Sequence, residues 1–315
     1  MADVETIASP LTPGQTRVID PILSTIALGY ANAEFVGDAL FPYVPVNISG
    51  GQVLQFGKEA FRSYNTARAP GARTGRISFG YFGKKFALAE DAIDVPVPRE
   101  MLRDAGLVPG IDLGIRATNL GMRVITLALE RKQAAIALDT GNYDASLQVA
   151  LSGSSKWSST VDPVPQINSY REAVRASIGR YPNVLLLGAV SFTALQNNTN
   201  LRQHFQFTSS QSIMPDMIAR YFGLDKVVVG AAVTSDDNDV LSDVWGNNAV
   251  LAYVPGTDRA QEVPSYGYTY RMIGQPMVEM PRWDGDTKSW IYGVAQESDP
   301  QFTGNWAGFL IQNPA

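Results

Sequence analysis

The side chains able to do chemistry are few and widely spaced in this 315-residue chain. Cysteine is absent, which removes thiol nucleophiles, thiolate metal sites and disulfides and fits a reducing compartment. The one histidine, His204, lies in the polar run Asn200-Leu201-Arg202-Gln203-His204 with no recurring partner, so it reads as a partly exposed structural residue. General acid–base work and common zinc sites thereby lose their usual residues, leaving carboxylate or lysine chemistry. Val184-Leu185-Leu186-Leu187-Gly188-Ala189-Val190-Ser191 runs a strand into a helix, the setting of nucleotide loops and nucleophile elbows. It carries neither Gly-Lys-Ser/Thr nor Gly-x-Ser-x-Gly, so a plain strand-turn-helix with Ser191 near an N-cap is expected.

The carboxylates follow the same pattern. Asp236-Asp237-Asn238-Asp239, with Asp243, could hold calcium loosely, but it lacks the glycine and terminal glutamate of an EF-hand and reads as a solvated acidic loop. Asp284 and Asp286 flank Gly285 in a tight turn. Glu90, Asp91 and Asp94 have no supporting site residue and read as salt-bridge partners for a neighbour's arginines. The expectation is a protein with no catalytic residue, metal or cofactor. Its rival is a carboxylate-dependent hydrolase, which would need a deep pocket joining at least two acids.

Charge carries more information than any motif. From Gly51 to Ala89, Lys58, Arg62, Arg68, Arg73, Arg76, Lys84 and Lys85 face a single acid, Glu59, leaving 18 basic and 29 acidic residues elsewhere. A basic segment on an acidic body suits docking onto a neighbouring copy. Phe56, Phe61, Tyr64, Phe79, Tyr81 and Phe82 could instead stack nucleic-acid bases. They occupy strand positions, however, and the chain's net charge of −5 argues against tight nucleic-acid binding.

The elements that must position these residues come in a definite order. Residues 1–20 are rich in Ser, Thr, Pro and Gly, and Ile22, Leu23, Ile26, Ala27 and Tyr30 then recur at helical spacing, giving an arm that ends in a short helix. Neither a signal core nor a run of roughly 18 apolar residues is present, so a soluble, unexported chain is expected. Phe41-Pro42-Tyr43-Val44-Pro45-Val46 must be extended, at a sheet edge or across another surface. Strand patterns at 53–61 and 76–88 flank a turn-rich tip and read as one hairpin. About ten extended residues at roughly 3.3 Å each would carry that tip on the order of 30 Å. A two-stranded ribbon of this length needs a partner surface to be stable.

After Pro96 and Pro98, Arg99–Ala105 suits a short helix. Ile111–Thr140 then gives the longest helical pattern, roughly 42 Å at 1.5 Å per residue. Its apolar stripe is Leu113, Ala117, Leu120, Val124, Leu127, Ala134 and Leu138, broken only by Arg131; Asp112 suits its start and Gly141 its end. Helices at 167–178, 191–197 and 213–222 alternate with strands at 183–188, 226–230 and 249–254, forming an α/β subdomain. Strands at 268–273, 277–282, 289–294 and 307–311 are expected to return to the long helix, two of them joined by the Asp284-Gly285 turn.

This order resembles the major capsid proteins of tailed bacteriophages with the HK97-type fold. Local stretches agree: Ile19-Asp20-Pro21-Ile22-Leu23-Ser24-Thr25-Ile26-Ala27-Leu28-Gly29-Tyr30 leading to Leu40-Phe41-Pro42-Tyr43-Val44-Pro45-Val46, then Phe56-Gly57-Lys58-Glu59-Ala60-Phe61 and Pro182-Asn183-Val184-Leu185-Leu186-Leu187-Gly188. The resemblance implies an α+β chain with an N-terminal arm at 1–47 and an extended hairpin, the E-loop, at 48–95. It places a peripheral domain at 96–160 and 264–315, with a spine helix at about 111–140, and an axial α/β domain at 161–263. The implied function is a structural one: self-assembly, through hexamers and pentamers, into an icosahedral shell around packaged double-stranded DNA. The virion is assembled in the host cytoplasm without a membrane. The basic residues of the hairpin, with Glu90, Asp91 and Asp94, would make the contacts between copies. The arm begins almost at Met1, so a scaffolding protein is expected to be a separate chain, beside a portal and a possible decoration protein. An encapsulin-like compartment with protein cargo is the alternative within the same fold.

Overall fold

The computed structural model describes residues 20, 23–24, 27, 35–55, 67–68, 73, 82–105, 112–205, 213–256 and 265–315. In chain order, strands β1 (Tyr43–Val46), β2 (Gly50–Gln55), β3 (Phe82–Ala87) and β4 (Ala89–Pro98) precede helices α1 (Arg99–Ala105) and α2 (Leu113–Leu138). Next come β5 (Gln148–Ala150), α3 (Pro163–Ile178), β6 (Val184–Gly188), α4 (Ala189–Asn197), α5 (Thr199–Phe205) and α6 (Pro215–Phe222). The chain continues through β7 (Lys226–Gly230), β8 (Val233–Ser235), β9 (Leu241–Asp243) and β10 (Asn248–Ala252). It closes with β11 (Gly267–Met272), β12 (Met277–Val278), β13 (Arg282–Asp284), β14 (Ser289–Phe302) and β15 (Gly308–Gln312). The mixed α+β chain forms two compact units, and β14 and α2 run through both.

The first unit takes in residues 1–31, 90–125 and 274–297. Its strand pairs are antiparallel: Met277 opposite Ala295, and Trp283 opposite Trp290, with Asp284 and Gly285 making the expected turn. Asp284 accepts bonds from the Asp286 amide and the Thr287 hydroxyl, and these donors hold its carboxyl below the usual range. Helix α2 starts where Asp112 Oδ1 accepts the amides of Gly114 and Ile115, at 2.8 and 3.1 Å, so Asp112 is a side-chain cap as well as a charge at the dipole. Met122 and Ile125 pack with Leu23, Ala27, Val278 and Val294. The approach is close because Gly121 has no side chain: a Cβ there would stand 2.8 Å from Val294 Cγ2.

The second unit takes in residues 32–89, 126–273 and 298–315. Its main sheet runs β5-β15-β10-β6-β7. Every residue of β6 is buried, as expected of a strand covered on both faces. Helix α3 buries Ile167, Val174 and Ile178; Asp162 caps its start at the Val164 amide, and Gly179, at φ 70°, ends it. The last strand differs from expectation. β15 lies in this sheet, antiparallel to β10 and parallel to β5, because Phe309, Leu310 and Ile311 are apolar in succession and need a sheet covered on both faces. Ser191 does not cap α4; it is buried and donates to the Asn248 carbonyl at 3.1 Å. Residues 199–205 are helical, begun by Asn198 Oδ1 accepting the amides of Asn200 and Leu201, a cap the polar composition hid.

The long helix keeps Ala117 and Ala134 of the expected stripe buried and corrects it at two positions. Leu120 and Val124 are 54% and 42% exposed. The buried positions include Thr118, Gly121, Glu130 and Gln133. They stand beside buried apolar residues, Met122 and Ile125 in the first unit and Leu129 in the second, so the covered face mixes apolar, small and hydrogen-bonding side chains.

Candidate assembly interface

The hairpin exists at its base. β2 and β3 pair antiparallel from Gly50 opposite Ala87 to Gln55 opposite Phe82, three residues earlier than the expected start at Val53. Its root is fixed within the second unit. Phe86 stacks on Tyr270, with ring centroids 4.5 Å apart and planes 10° from parallel, in a cluster with Val44 and Tyr268. Gly51 lets that ring lie flat, since a Cβ there would stand 2.7 Å from it. The Ala87 amide donates to Asp299 Oδ2 at 3.0 Å, and the Leu88 amide to the Ser49 carbonyl at 2.8 Å. Burial pushes the Tyr270 hydroxyl up to about 12, so it stays neutral.

The residues assigned to contacts between copies divide by place. Lys58, Arg62 and Arg76 lie outside the described residues. Arg68 and Arg73 are exposed, and Lys84 and Lys85 sit on β3, with Lys85 exposed. Glu90 and Asp94 are exposed on β4, and Asp91 is half-buried there. Asp94 pairs with Arg282 of its own chain, both side chains about half exposed. Such an exposed pair contributes about 1 kcal/mol at most. Asp236 holds its own turn by accepting the amides of Asn238 and Val240, at 2.9 and 2.8 Å, and those donors lower its carboxyl. His204 is half exposed, 3.7 Å from Asp162 Oδ2.

The segment entering the hairpin is held by a cluster that sequence reading missed. Glu130, 2% exposed on α2, accepts the Val36 amide at 2.9 Å, the Gly37 amide at both oxygens and Trp245 Nε1 at 2.6 Å. One turn further on, Gln133 Nε2 donates to Asp38 Oδ1 at 3.1 Å and to Thr269 Oγ1 at 3.0 Å, and Thr269 Oγ1 donates to the Phe41 carbonyl. Burial raises the carboxyl of Glu130, partly offset by these donors. From there β1 runs parallel to β11 at the sheet edge, where Pro45 needs no amide to donate, as expected. Arg271 lies over the Tyr43 ring, 4.0 Å from its centroid. The signal in the sequence was Glu130 itself, an acid four residues before the buried Ala134. The carboxylate oxygens of this cluster are occupied by their own chain, an arrangement suited to fixing a segment in place rather than to turning over a substrate.

No family model matches the chain. The major capsid protein of Burkholderia phage BcepMu is 33% identical over 304 residues, covering 94% of this chain and 96% of that protein. The major capsid protein of Pseudomonas phage JBD67 is 26% identical over 268 residues, covering 82% of each. The crystal structure of a phage-related protein from Bordetella bronchiseptica RB50 is 43% identical, covers 95% of this chain and 99% of that one, and superposes with a TM-score of 0.82. The virus-like particle of Pyrococcus furiosus, at 10% identity and a TM-score of 0.55, covers 92% of this chain and 96% of that one and is alike in fold.

Proposed function

Since this chain belongs to the family of phage major capsid proteins, we propose that it builds the head shell by interlocking many copies through its arm and hairpin. The observation that carries the reading is the rooted hairpin: Phe86, Gly51 and Ala87 fix its base, while Arg68, Arg73 and Lys85 stay exposed on a chain of net charge −5. Cations on an anchored ribbon reach across to the acidic surface of another copy, where pairing and burial supply the stability that a two-stranded ribbon lacks alone.

In this reading residues 1–47 are the arm, 48–95 the E-loop, 96–160 with 264–315 the peripheral domain, and 161–263 the axial domain. The partners are further copies in hexamers and pentamers, with a scaffolding protein, a portal, a decoration protein and enclosed DNA as separate components. Sequence similarity favours the phage capsid over an encapsulin-type compartment, because the 33% relative is a phage capsid protein. Reversing Arg68, Arg73 and Arg76 to Glu tests the proposal. Assembly should fail while circular dichroism of the unassembled chain stays unchanged, and normal shells from the variant in electron micrographs would count against it.

A further inference from the structure

Arg116, Leu120, Arg123 and Val124 of α2 fall at i, i+4, i+7 and i+8, which sets them on one helix face, and all four are exposed. Two aliphatic residues one turn apart, 54% and 42% exposed and accompanied by two arginines, have the pattern of a helix-packing seam. Arg116 and Arg123 are the only ionisable residues between Leu113 and Ile125, and Asp112, one turn before Arg116, has its Oδ1 taken by the amides of Gly114 and Ile115, so the charge of the face is net positive.

We infer that this face docks an acidic amphipathic helix supplied by a second kind of protein chain. The idea rests on the shell reading for the existence of an assembly partner, but its chemistry comes from the face. Another copy's α2 would bring arginines against arginines. The remaining described helices offer no acidic apolar face. In α1, Arg99 answers Glu100 and Arg103 answers Asp104. In α3, Glu172 is held by Arg175 and Tyr181. Helices α4 and α5 contain no acid, and α6 balances Asp216 with Arg220. Duplex DNA would match the arginines but leave Leu120 and Val124 against water and phosphate.

The test uses the unassembled full chain and a fluorescent peptide of about three Glu/Leu heptads, followed by anisotropy, beside the same peptide with Lys in place of Glu. The acidic peptide should bind about tenfold tighter than the lysine peptide or better, and Leu120→Gln/Val124→Gln and Arg116→Gln/Arg123→Gln should each weaken it about tenfold with circular dichroism unchanged. Equal binding of the two peptides overturns the inference, and so does undiminished binding by the Leu120/Val124 variant. A short DNA duplex that displaces the peptide, and weakens only in the arginine variant, would make this a nucleic-acid surface instead. Self-association through the face, abolished by the same substitutions and indifferent to the peptide, would assign it to a second copy. If a variant fails to fold, the two peptides on the unaltered chain decide the matter. Shell formation scored in parallel by negative-stain microscopy separates the two readings: shells without peptide binding overturn only the docking face, and peptide binding without shells overturns only the capsid reading.

Discussion

The two halves of α2 meet their units by opposite means. From Leu113 to Ile125 the helix is seated by what it lacks, with Gly121 against Val294 and Gly114 against the Tyr292 ring. From Thr126 to Leu138 it is seated by what it donates and accepts, through Glu130 and Gln133. Each half also buries apolar side chains, Met122 and Ile125 in the first and Leu129 in the second. A long helix thus serves as core and as surface at once, with Leu120 and Val124 outward while Met122, Ile125 and Leu129 are buried beside glycine and hydrogen-bonded side chains.

Removing the polar seat should produce the largest effect. Glu130→Ala leaves the Val36 and Gly37 amides and Trp245 Nε1 without their acceptor. Each buried donor so stranded costs about 1–3 kcal/mol, so urea unfolding should show a loss of about 3 kcal/mol or more. A loss under about 1 kcal/mol would mean that the segment at Val36 is held by something else.

The same carboxylate sets a pH dependence. Burial raises Glu130 above the ordinary range, so in the folded state it keeps its proton to higher pH than in the unfolded chain. The stability this confers is complete below about pH 4, and it is lost as pH rises through the raised folded value. The urea midpoint should therefore fall with rising pH across that window, and Glu130→Gln should flatten the fall. An unchanged slope in the variant would remove Glu130 as its source.

The steric seat should yield less. Gly121→Leu drives a side chain into Val294, where even a Cβ stands 2.8 Å away, and overpacking of this kind costs about 1–3 kcal/mol. About 1 kcal/mol returns because glycine is a poor helix former, leaving a net loss of at most about 2 kcal/mol by urea unfolding. Val294→Ala should recover part of it, since touching residues are not additive. Smallest of all is Leu120→Gln in the unassembled chain, within about 0.5 kcal/mol, as suits an exposed site. A large destabilisation there would make Leu120 a core residue and abolish the contrast between the two faces.

Much of the fold was legible because local rules and tertiary demands agree. The five apolar residues of β6, the Asp284-Gly285 turn, the prolines that confine β1 to an edge and the span of α2 all follow from periodicity or backbone restriction. The facing of α2 was legible only in part: Ala117 and Ala134 are buried as the spacing implies, but Leu120 and Val124 are exposed, since the neighbouring strands decide how much of the apolar side is covered. The Glu130 cluster was hidden for a related reason. Its partners Val36, Gly37 and Trp245 are about a hundred residues away in either direction, and two of them contribute backbone amides that no side-chain pattern announces. The basic hairpin showed itself as a charge anomaly, whereas its root, the stacking of Phe86 on Tyr270, pairs residues too far apart in sequence for any local pattern to join.

Whether this chain builds a shell from copies of itself is decided by negative-stain microscopy of the purified full chain, with size-exclusion chromatography alongside. Closed shells of uniform diameter, eluting far ahead of the monomer, are the predicted result. A small discrete species that never forms shells, even when concentrated at varied ionic strength, would contradict it.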